Sequence, residues 1–429
     1  MFPLSTSGQR IAVVDGIRTP FTKQGGALRS MTTLDLSVAV VGELAKRLEL
    51  SPEVIGSLVL GSAMNNPAVP YLARETAIAL GWDNVNAYSA ETACATSART
   101  VANAASELLS GAAEIAIAGG AEAIADLQQL ASRKAGAASA MLARKPEQGF
   151  EMLMNLTMGD LVPPAPVVAE PYSGLTLGEH AEEIVEEWGV TREWADEIAV
   201  RSHHNAARAI DEGRLPAETM AVQTPDGTVK EDAIVRADTS MEAVAKLRPV
   251  FKSAEDGGTV TAANASPLTD GASAVVLATE RACETHGLTP KAWIRSWAFT
   301  SHAPKKGVLL GPTYATPLAL ERAGLTMADI GLFDMHEAFA GQVAANLAAM
   351  DSDEWAQQEM GRESAMGRPS DDILNVNGGS VAIGHPFGAT GTRIIIQLMN
   401  EMQRRDVRYG ALAICAGGTR GASMVLERV

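Results

Sequence analysis

Short apolar segments alternate with segments of helical periodicity along the first third of the chain. Residues 10–15 and 113–123 are largely apolar runs of strand length, whereas residues 33–48 and 95–110 repeat apolar positions at helical spacing. Gly111 directly follows the second of these helices, and a glycine in this place commonly ends a helix. The alternation of strands and helices predicts an α/β fold.

The pattern changes between residues 127 and 253. Residues 162–174 are rich in proline, and charged amphipathic helices are predicted near residues 178–189 and 191–212. Apolar strand character returns only around residues 257–279. We therefore interpret residues 127–253 as an insertion that folds over an α/β core.

The last third of the chain repeats the plan of the first. After Cys94 the chain runs through small residues, a helix, a strand and the sequence AGG, and after His385 it does the same. Two such units predict a duplicated domain with its site at the junction. The predicted division is residues 1–126, completed by 254–283, for the first unit, 127–253 for the inserted domain, and 284–429 for the second unit.

The composition is that of a globular protein. Hydrophobic residues make up 46% and charged residues 20% of a chain of 429, which is long enough for two or three domains. A formal net charge of −16 argues against nucleic acid and anionic membranes as partners. The three cysteines form an odd, sparse set, which is typical of reduced thiols and favours a cytoplasmic location. The N-terminal sequence MFPLSTSGQR lacks the features of a signal peptide.

Cys94 is the first candidate for chemistry, because it lies in SAETACATSART just before a predicted helix. The free N–H groups and the positive dipole end of that helix would stabilise a thiolate and lower a thiol pKa of about 8.5. Most free cysteines, however, are small buried hydrophobic residues. This segment alone leaves both interpretations open.

Three further residues stand in unusual surroundings. His385 lies between glycines in GGSVAIGHPFGATGTR, where an imidazole could take a cysteine proton or only hydrogen-bond within a turn. Cys415 ends an apolar strand before AGGTRG, whose exposed backbone N–H groups could stabilise an oxyanion, although a cysteine of the strand core is the alternative. His336 lies in DMHEAFAGQ, where Glu337 could orient it or cap the next helix.

Other types of site find little support. His203 and His204 are adjacent on a predicted helix and therefore point in different directions, so no metal site is predicted there. Cys283 is interpreted as structural. The sequence lacks the GxGxxG motif of dinucleotide-binding proteins and the GxSxG motif of serine hydrolases.

Taken together, the motifs resemble those of the thiolase family. GIRTPF, ACATS, TAANASPLTDGAS, HEAFA, GGSVAIGHPFGATGTR and CAGGTRGAS follow the order and spacing of that family over nearly the whole chain. The resemblance implies a five-layered αβαβα thiolase fold of two similar halves, with an inserted loop domain that covers coenzyme A. The most similar branch is the thiolase β-subunit of fatty-acid oxidation (trifunctional) complexes, because that branch has ACATS and carries histidine where most thiolases have asparagine at position 336.

The resemblance also implies roles for five residues. Cys94 would be the nucleophile that takes the acyl group, and His385 the base that activates it and contacts the thioester oxygen. Cys415 would be the acid and base that exchanges a proton with acetyl-CoA. His336 would contribute to one oxyanion hole, and the backbone N–H groups of Cys94 and Gly417 to another.

Two coenzyme A contacts and two departures complete the resemblance. Ser266 would contact the pantetheine arm, and Arg236 the adenine nucleotide. The family signature near MGxTAE reads LGEHAE here (177–182), which leaves the preference for acyl-chain length open. Thr419 and Arg420 stand where smaller residues are usual, so that Arg420 either touches the ligand or lies only at the surface.

The implied activity is thiolytic cleavage of 3-ketoacyl-CoA by coenzyme A in fatty-acid β-oxidation, through an S-acyl-cysteine intermediate. Coenzyme A is a substrate, and the chemistry needs no metal or organic cofactor. One alternative is an acetyl-CoA C-acetyltransferase that makes or cleaves acetoacetyl-CoA, and another is a catalytically silent acyl-CoA-binding subunit. A homodimer or tetramer is expected by resemblance, with a hydratase/dehydrogenase α-subunit as a candidate partner.

Overall fold

The computed structural model describes residues 9–127, 132–161 and 169–429. Within these residues the chain forms twelve strands and sixteen α-helices. The strands are β1 (Ile11–Arg18), β2 (Thr22–Lys23), β3 (Ser57–Gly61), β4 (Asn86–Ser89), β5 (Ile115–Glu122), β6 (Val222–Thr224), β7 (Gly227–Val229), β8 (Thr269–Thr279), β9 (Ala292–Ser301), β10 (Leu332–Met335), β11 (Tyr409–Ala416) and β12 (Arg420–Arg428). The helices are α1 (Thr33–Arg47), α2 (Leu72–Ala79), α3 (Thr96–Ser110), α4 (Arg133–Arg144), α5 (Pro146–Met154), α6 (Met158–Leu161), α7 (Leu177–Glu187), α8 (Arg192–Asp211), α9 (Arg214–Glu218), α10 (Met241–Ala245), α11 (Glu280–His286), α12 (Gly311–Ala323), α13 (Ala340–Met350), α14 (Asp353–Met360), α15 (Ser380–Ile383) and α16 (Thr390–Arg405).

The main sheet contains the same strand arrangement twice. In the first half the order is β3-β5-β8-β1, with β3 and β5 parallel and β8 antiparallel to both neighbours. In the second half the order is β10-β11-β12-β9, with the same directions. A short antiparallel pairing between β1 and β9 joins the halves, and β4 adds an edge strand to the first. The duplication predicted from the sequence is therefore present in the topology.

Helices form three layers around the two halves of the sheet. α3 and α16 lie between the halves, and their apolar residues share one core with the inner faces of both, as Leu108 and Ile395 do with Leu277 and Leu412. α1, α2 and α11 cover the outer face of the first half. α12 and α13 cover the outer face of the second half, together with α7 and α8. These five layers confirm the predicted fold class.

The two central helices approach each other closely near their N-termini. A Cβ added at Gly391 of α16 would lie 2.3 Å from the backbone nitrogen of Ala98 in α3. α3 ends at Gly111, whose φ of 78° is left-handed, as the sequence predicts. Because α3 follows Cys94 and α16 follows His385, this contact brings the two segments together.

The described part of the insertion contains α4 to α10 and the hairpin β6-β7. The two predicted amphipathic helices are α7 and α8, and each begins after a threonine cap, Thr176 and Thr191. Residues 162–168 of the proline-rich segment lie outside the described residues. The domain boundaries inferred from the sequence stay predictions. Among the described helices, none has the length and apolarity needed to cross a lipid bilayer.

A buried ion pair fastens the insertion to β1. Arg18 is fully buried, and its Nη1 and Nη2 atoms donate to the two carboxylate oxygens of Asp232 at 2.6 and 2.7 Å. Its Nε atom donates to Glu218 at 3.3 Å. Such a bidentate arrangement fixes both the distance and the orientation of its partners. The insertion is thus held against the core directly beside the GIRTPF motif.

Candidate active site

Cys94 lies in a tight turn that leads into α3. Residues Ala93–Ala95 form a short 3-10 helix, and Ala93 has a left-handed φ of 44°, which is uncommon for alanine. The carboxylate of Glu91 accepts the backbone N–H of Ala93, and the N–H of Thr92 donates to Thr96 Oγ1 at 2.9 Å. The predicted position of Cys94 at the start of a helix is therefore correct.

Burial, however, reverses the predicted pKa shift of this cysteine. Cys94 is only 5% exposed, and this burial raises the pKa of its thiol to about 11. Hydrogen bonds from the backbone N–H groups of Gly417 and of Cys94 itself, and the nearby charge of Arg420, lower that pKa only in part. The expectation of a lowered pKa is wrong, because loss of hydration outweighs these favourable contacts. The resting thiol is therefore neutral and needs a base.

Two histidines converge on this thiol from the second half of the molecule. Cys94 Sγ, one ring nitrogen of His336 and one of His385 all lie within 4.8 Å of one another. The two imidazole rings are 4.1 Å apart between centroids. Their exposures are 0% for His336 and 2% for His385, so that solvent is largely excluded from the cluster.

His385 is held as a neutral imidazole with a defined proton position. Thr390 Oγ1 donates its own proton to the Pro386 carbonyl at 2.9 Å, so it accepts a hydrogen bond from His385 Nδ1 at 2.7 Å. Nε2 therefore carries a lone pair, and it has no hydrogen-bond partner within the described parts of the chain. Burial, with the positive charge of Arg393, lowers the pKa of His385 to about 3.

His336 carries the opposite proton arrangement. It follows β10, and its Nδ1 atom lies 2.9 Å from Ser380 Oγ. That hydroxyl accepts a hydrogen bond from Arg393 Nη2 at 2.8 Å, and among the described residues its own proton has no other acceptor than Nδ1, to which we assign it. The remaining ring proton then sits on Nε2, an atom that is also buried without a partner in the described ranges. Burial, His385 and Arg393 hold the pKa of His336 well below its usual range.

Glu337 neither orients His336 nor caps α13, so both sequence-based expectations for it are wrong. Its carboxylate instead accepts hydrogen bonds from Ser202 at 2.7 Å, from Asn375 at 2.6 Å and from the N–H of Val381 at 3.2 Å. The backbone turns this side chain away from the imidazole and toward α8 and α15. Its effect is to fix the loop that carries His336.

Cys415 and Gly417 close the site from the end of β11. Cys415 is fully buried, and burial together with charge on Cys94 raises the pKa of its thiol well above the usual value. The chain then turns back into β12 through Gly418 and Thr419, whose φ values are 75° and 55°. This turn directs the N–H of Gly417 at the sulfur of Cys94. The structure thus brings together Cys94, His336, His385, Cys415 and Gly417.

The two residues predicted to bind coenzyme A lie in different places. Ser266 is half-buried, and its N–H donates to the carbonyl of Ala338 at 2.9 Å, beside the segment whose N–H contacts Cys415. Arg236 is exposed on the insertion, and its N–H donates to His203 Nδ1 at 3.2 Å. Ser266 therefore borders the cluster and Arg236 does not contact it, and both roles stay predictions.

Arg420 contacts the site from the outside, and whether it touches the ligand stays open as the sequence left it. Its Nε atom donates to the Gly417 carbonyl at 2.7 Å, and its Nη2 atom lies 3.4 Å from Glu91 Oε1. The guanidinium thus links the Gly417 turn to the Cys94 turn.

Four supporting residues escaped the sequence analysis. Thr390, Ser380 and Arg393 act on the two imidazoles, and Glu170 Oε1 accepts the N–H of Gly418 at 2.6 Å. The position of Thr390, five residues after His385 at the start of α16, was a signal for the first of them. Nothing in the sequence marks Glu170, because its partner lies 248 residues away.

The comparisons with known proteins agree with these observations. The family models described as Thiolase, N-terminal domain, and Thiolase, C-terminal domain, match residues 11–281 and 288–428. The chain is 46% identical to a 3-ketoacyl-CoA thiolase of Cronobacter sakazakii, over 99% of this chain and 98% of that one.

Two solved structures are similar over almost their whole length. The acetyl-CoA acetyltransferase of Bacillus anthracis aligns with this chain at a TM-score of 0.84 and 29% sequence identity. Human mitochondrial 3-ketoacyl-CoA thiolase aligns at a TM-score of 0.81 and 27% sequence identity. Each alignment covers 98% of this chain and 99% of the other. By its sequence, its duplicated five-layered fold and its two matching family models, the chain belongs to the thiolase family.

Proposed function

We propose that the chain cleaves 3-ketoacyl-CoA with coenzyme A, giving acetyl-CoA and a shortened acyl-CoA, as a step of fatty-acid β-oxidation. The observation that carries this proposal is the buried convergence of Cys94, His385 and His336 beside Cys415 and the N–H of Gly417. Identity of 46% to a protein named 3-ketoacyl-CoA thiolase supports the choice of substrate.

In the first half-reaction Cys94 attacks the ketone carbon while its proton moves to Nε2 of His385. Since the thiol has a pKa of about 11 and the imidazole one of about 3, a separated ion pair is unfavourable before substrate binds. Proton transfer therefore accompanies formation of the carbon–sulfur bond. The N–H groups of Cys94 and Gly417 stabilise the resulting alkoxide.

Collapse of the alkoxide breaks the C2–C3 bond, and the electron pair passes to the acetyl-CoA enolate. The Nε2–H of His336 and the protonated His385 donate to the enolate oxygen, and Cys415 gives its proton to C2. Acetyl-CoA leaves, while Cys94 carries the acyl group. The raised pKa of Cys415 suits this step, because a neutral thiol is the donor that a carbanion requires.

In the second half-reaction the Cys415 thiolate takes the thiol proton of coenzyme A. The new thiolate attacks the acyl group on Cys94, and the leaving Cys94 sulfur recovers its proton from His385. Both protons are thereby returned. Each step draws on side chains and backbone of this chain, so we propose no metal or organic cofactor, with coenzyme A as a substrate that Ser266 and Arg236 help to bind.

The test is coenzyme A-dependent loss of 3-ketoacyl-CoA, measured with four-carbon and sixteen-carbon acyl chains, with Cys94→Ala as the control. Faster turnover of the longer chain, abolished in Cys94→Ala, is expected. Turnover of the four-carbon substrate alone would instead support acetoacetyl-CoA chemistry, which the similarity to the Bacillus anthracis enzyme keeps as the second candidate. Absence of turnover on both, with intact binding of coenzyme A, would support a silent acyl-CoA-binding subunit. Slow alkylation of Cys94 does not separate these cases, because its burial and raised pKa make it slow in any of them.

We also propose a homodimer or tetramer and a cytoplasmic location, with a hydratase/dehydrogenase α-subunit as a candidate partner. Three free, buried cysteines support a reducing compartment. Light scattering of the purified chain, alone and with such a subunit, measures the assembly. A monomer that does not associate at micromolar concentration would contradict this part of the proposal.

A further inference from the structure

The acylation site also has the composition of a metal site. Cys94 Sγ and one nitrogen from each of His336 and His385 lie within 4.8 Å of one another, and each side chain is at most 5% exposed. Both Nδ1 atoms are already bound to hydroxyls, whereas both Nε2 atoms are buried without a partner within the described residues. We infer that Cys94 Sγ and these two Nε2 atoms bind a divalent cation of borderline softness, Zn²⁺ above all, and that the cation inhibits the enzyme.

The distances require only a small contraction. Tetrahedral zinc holds sulfur at about 2.3 Å and imidazole nitrogen at about 2.0–2.1 Å, which places such donors about 3.3–3.6 Å from one another. The separations here have an upper bound of 4.8 Å. The inferred site therefore requires the three donor atoms to approach one another by at most about 1.5 Å. Three protein ligands leave a fourth position open, as in sites where zinc retains an exchangeable ligand.

The surroundings already orient two of the ligands. Thr390 already accepts the Nδ1–H of His385, as outer partners of metal-bound histidines commonly do. To bind the metal, His336 takes its other tautomer: its Nε2 proton moves to Nδ1, and Ser380 Oγ accepts it with the lone pair that Arg393 does not use. Arg420, Arg393 and Glu122 are the charged groups that act on the cluster. The two cations oppose a bound metal, so binding depends on the charge of the Cys94 thiolate, whose proton is released to solvent as the metal–sulfur bond forms.

The donor set also defines selectivity. One thiolate and two imidazoles suit Zn²⁺ and Co²⁺, whereas Mg²⁺ and Ca²⁺ prefer oxygen ligands. A cation in this position occupies both the sulfur of the nucleophile and the lone pair of the base. The inference that the metal inhibits rests on the proposed function, whereas the inference that it binds does not. An acyl group on Cys94 is expected to exclude the metal.

The experiment uses Co²⁺ as a spectroscopic probe of the purified full-length chain. We expect one equivalent of Co²⁺ to give the near-ultraviolet absorption of a cobalt–thiolate bond, and Zn²⁺ but not Mg²⁺ to displace it. Cys94→Ser is expected to abolish this absorption. His336→Asn is expected to weaken Zn²⁺ binding by more than about 100-fold, measured by competition with a metal indicator. This loss exceeds the 10–100-fold that outer partners of metal ligands contribute. Cys283→Ser and His204→Asn are matched controls elsewhere in the chain, and both are expected to bind as the wild type does.

Three results would overturn the inference: a cobalt–thiolate band that survives Cys94→Ser, a band lost in Cys283→Ser, or Zn²⁺ affinity unchanged in His336→Asn. Circular dichroism of each variant verifies that it is folded. The spectrum does not depend on turnover, so a chain that binds Co²⁺ at Cys94 but cleaves no 3-ketoacyl-CoA would contradict the proposed function and leave the metal site standing.

Discussion

His336 and His385 are both buried in the site, but their Nδ1 atoms have different hydrogen-bond partners. Thr390 donates its own proton to a backbone carbonyl and therefore accepts the Nδ1–H of His385. The Nε2 atom of His385 is thus left as a hydrogen-bond acceptor. Ser380 accepts a hydrogen bond from Arg393, and with its own proton assigned to His336 Nδ1, the ring proton of His336 lies on Nε2. The proposed assignment of base and oxyanion donor therefore depends on the two hydroxyl groups that meet the Nδ1 atoms.

Thr390→Val tests this dependence for the base. The variant keeps the shape of the side chain but removes the acceptor for His385 Nδ1–H, so kcat is expected to fall by about 10–100-fold with little change in KM. Thr316→Val is the matched control. Thr316 is equally buried, and its hydroxyl also donates to a proline carbonyl four residues earlier, at 2.7 Å, but it lies in α12, away from His385. Equal loss of activity in both variants, measured by steady-state kinetics, would contradict a role through His385.

At the scale of elements, the site depends on a turn that the insertion supports. Glu170 accepts the N–H of Gly418 at 2.6 Å, and Arg420 holds the Gly417 carbonyl from the other side. In the proposed mechanism, the N–H of Gly417 is an oxyanion donor only while this turn is held. Glu170→Ala is therefore expected to lower kcat by about 10-fold, less than the 10²–10³-fold that loss of a donor itself costs.

Glu170→Gln is the control for that variant, because its amide oxygen can still accept the N–H of Gly418. Its kcat is expected to stay within about threefold of wild type. Should Glu170→Gln lose as much activity as Glu170→Ala, the charge of Glu170 would matter rather than its hydrogen bond, and support of the turn would be the wrong explanation.

The contact between α3 and α16 gives a second prediction at this scale. Gly391→Ala places a methyl group 2.3 Å from the backbone nitrogen of Ala98, so it is expected to destabilise the protein by about 1–3 kcal/mol and to displace the start of α16. Gly136→Ala in α4 is the control, since no atom of the described residues outside its own helical turn lies within 4 Å of the added Cβ, and alanine favours a helix. Thermal unfolding checks both, and a Gly391→Ala variant as stable as wild type would contradict the close approach.

The sequence predicted the elements that carry the site better than the contacts within it. Helix α3, its end at Gly111 and the duplicated order of elements follow from periodicity and glycine positions, which are local properties. The pKa of Cys94 was predicted in the wrong direction, because burial depends on segments far away in the chain. Glu337 was misplaced for the same reason, since Ser202 and Asn375 are not its neighbours in sequence.

At the scale of the whole molecule, buried carboxyl groups link stability to pH. Burial raises the pKa of Glu122 to about 7, against hydrogen bonds from Ser62 and from backbone N–H groups that include that of Gly388. The pKa of Glu122 is about 4.5 in the unfolded chain and about 7 in the folded protein. Between these two pH values the folded state binds more protons than the unfolded state, so the free energy of unfolding falls as pH rises. Above it, Glu122 is a buried anion in the folded protein.

Glu122→Gln isolates this contribution, because glutamine does not titrate. From about pH 5 to about pH 8 the wild-type Tm is expected to fall relative to that of the variant. The neutral histidines of the site act in the opposite direction, but they are common to both proteins and cancel in the comparison. A difference in Tm that is constant over this range would contradict the raised pKa of Glu122.

The ion pair between Arg18 and Asp232 has a consequence for how ligands enter. A movement that swings this part of the insertion away from β1 would have to separate the fully buried Arg18 guanidinium from both carboxylate oxygens of Asp232. We therefore expect the segment around Asp232 to stay against β1 while ligands enter and leave. On that expectation, the space that a ligand finds beside β1 is already set in the resting protein and does not depend on a closing movement of this segment.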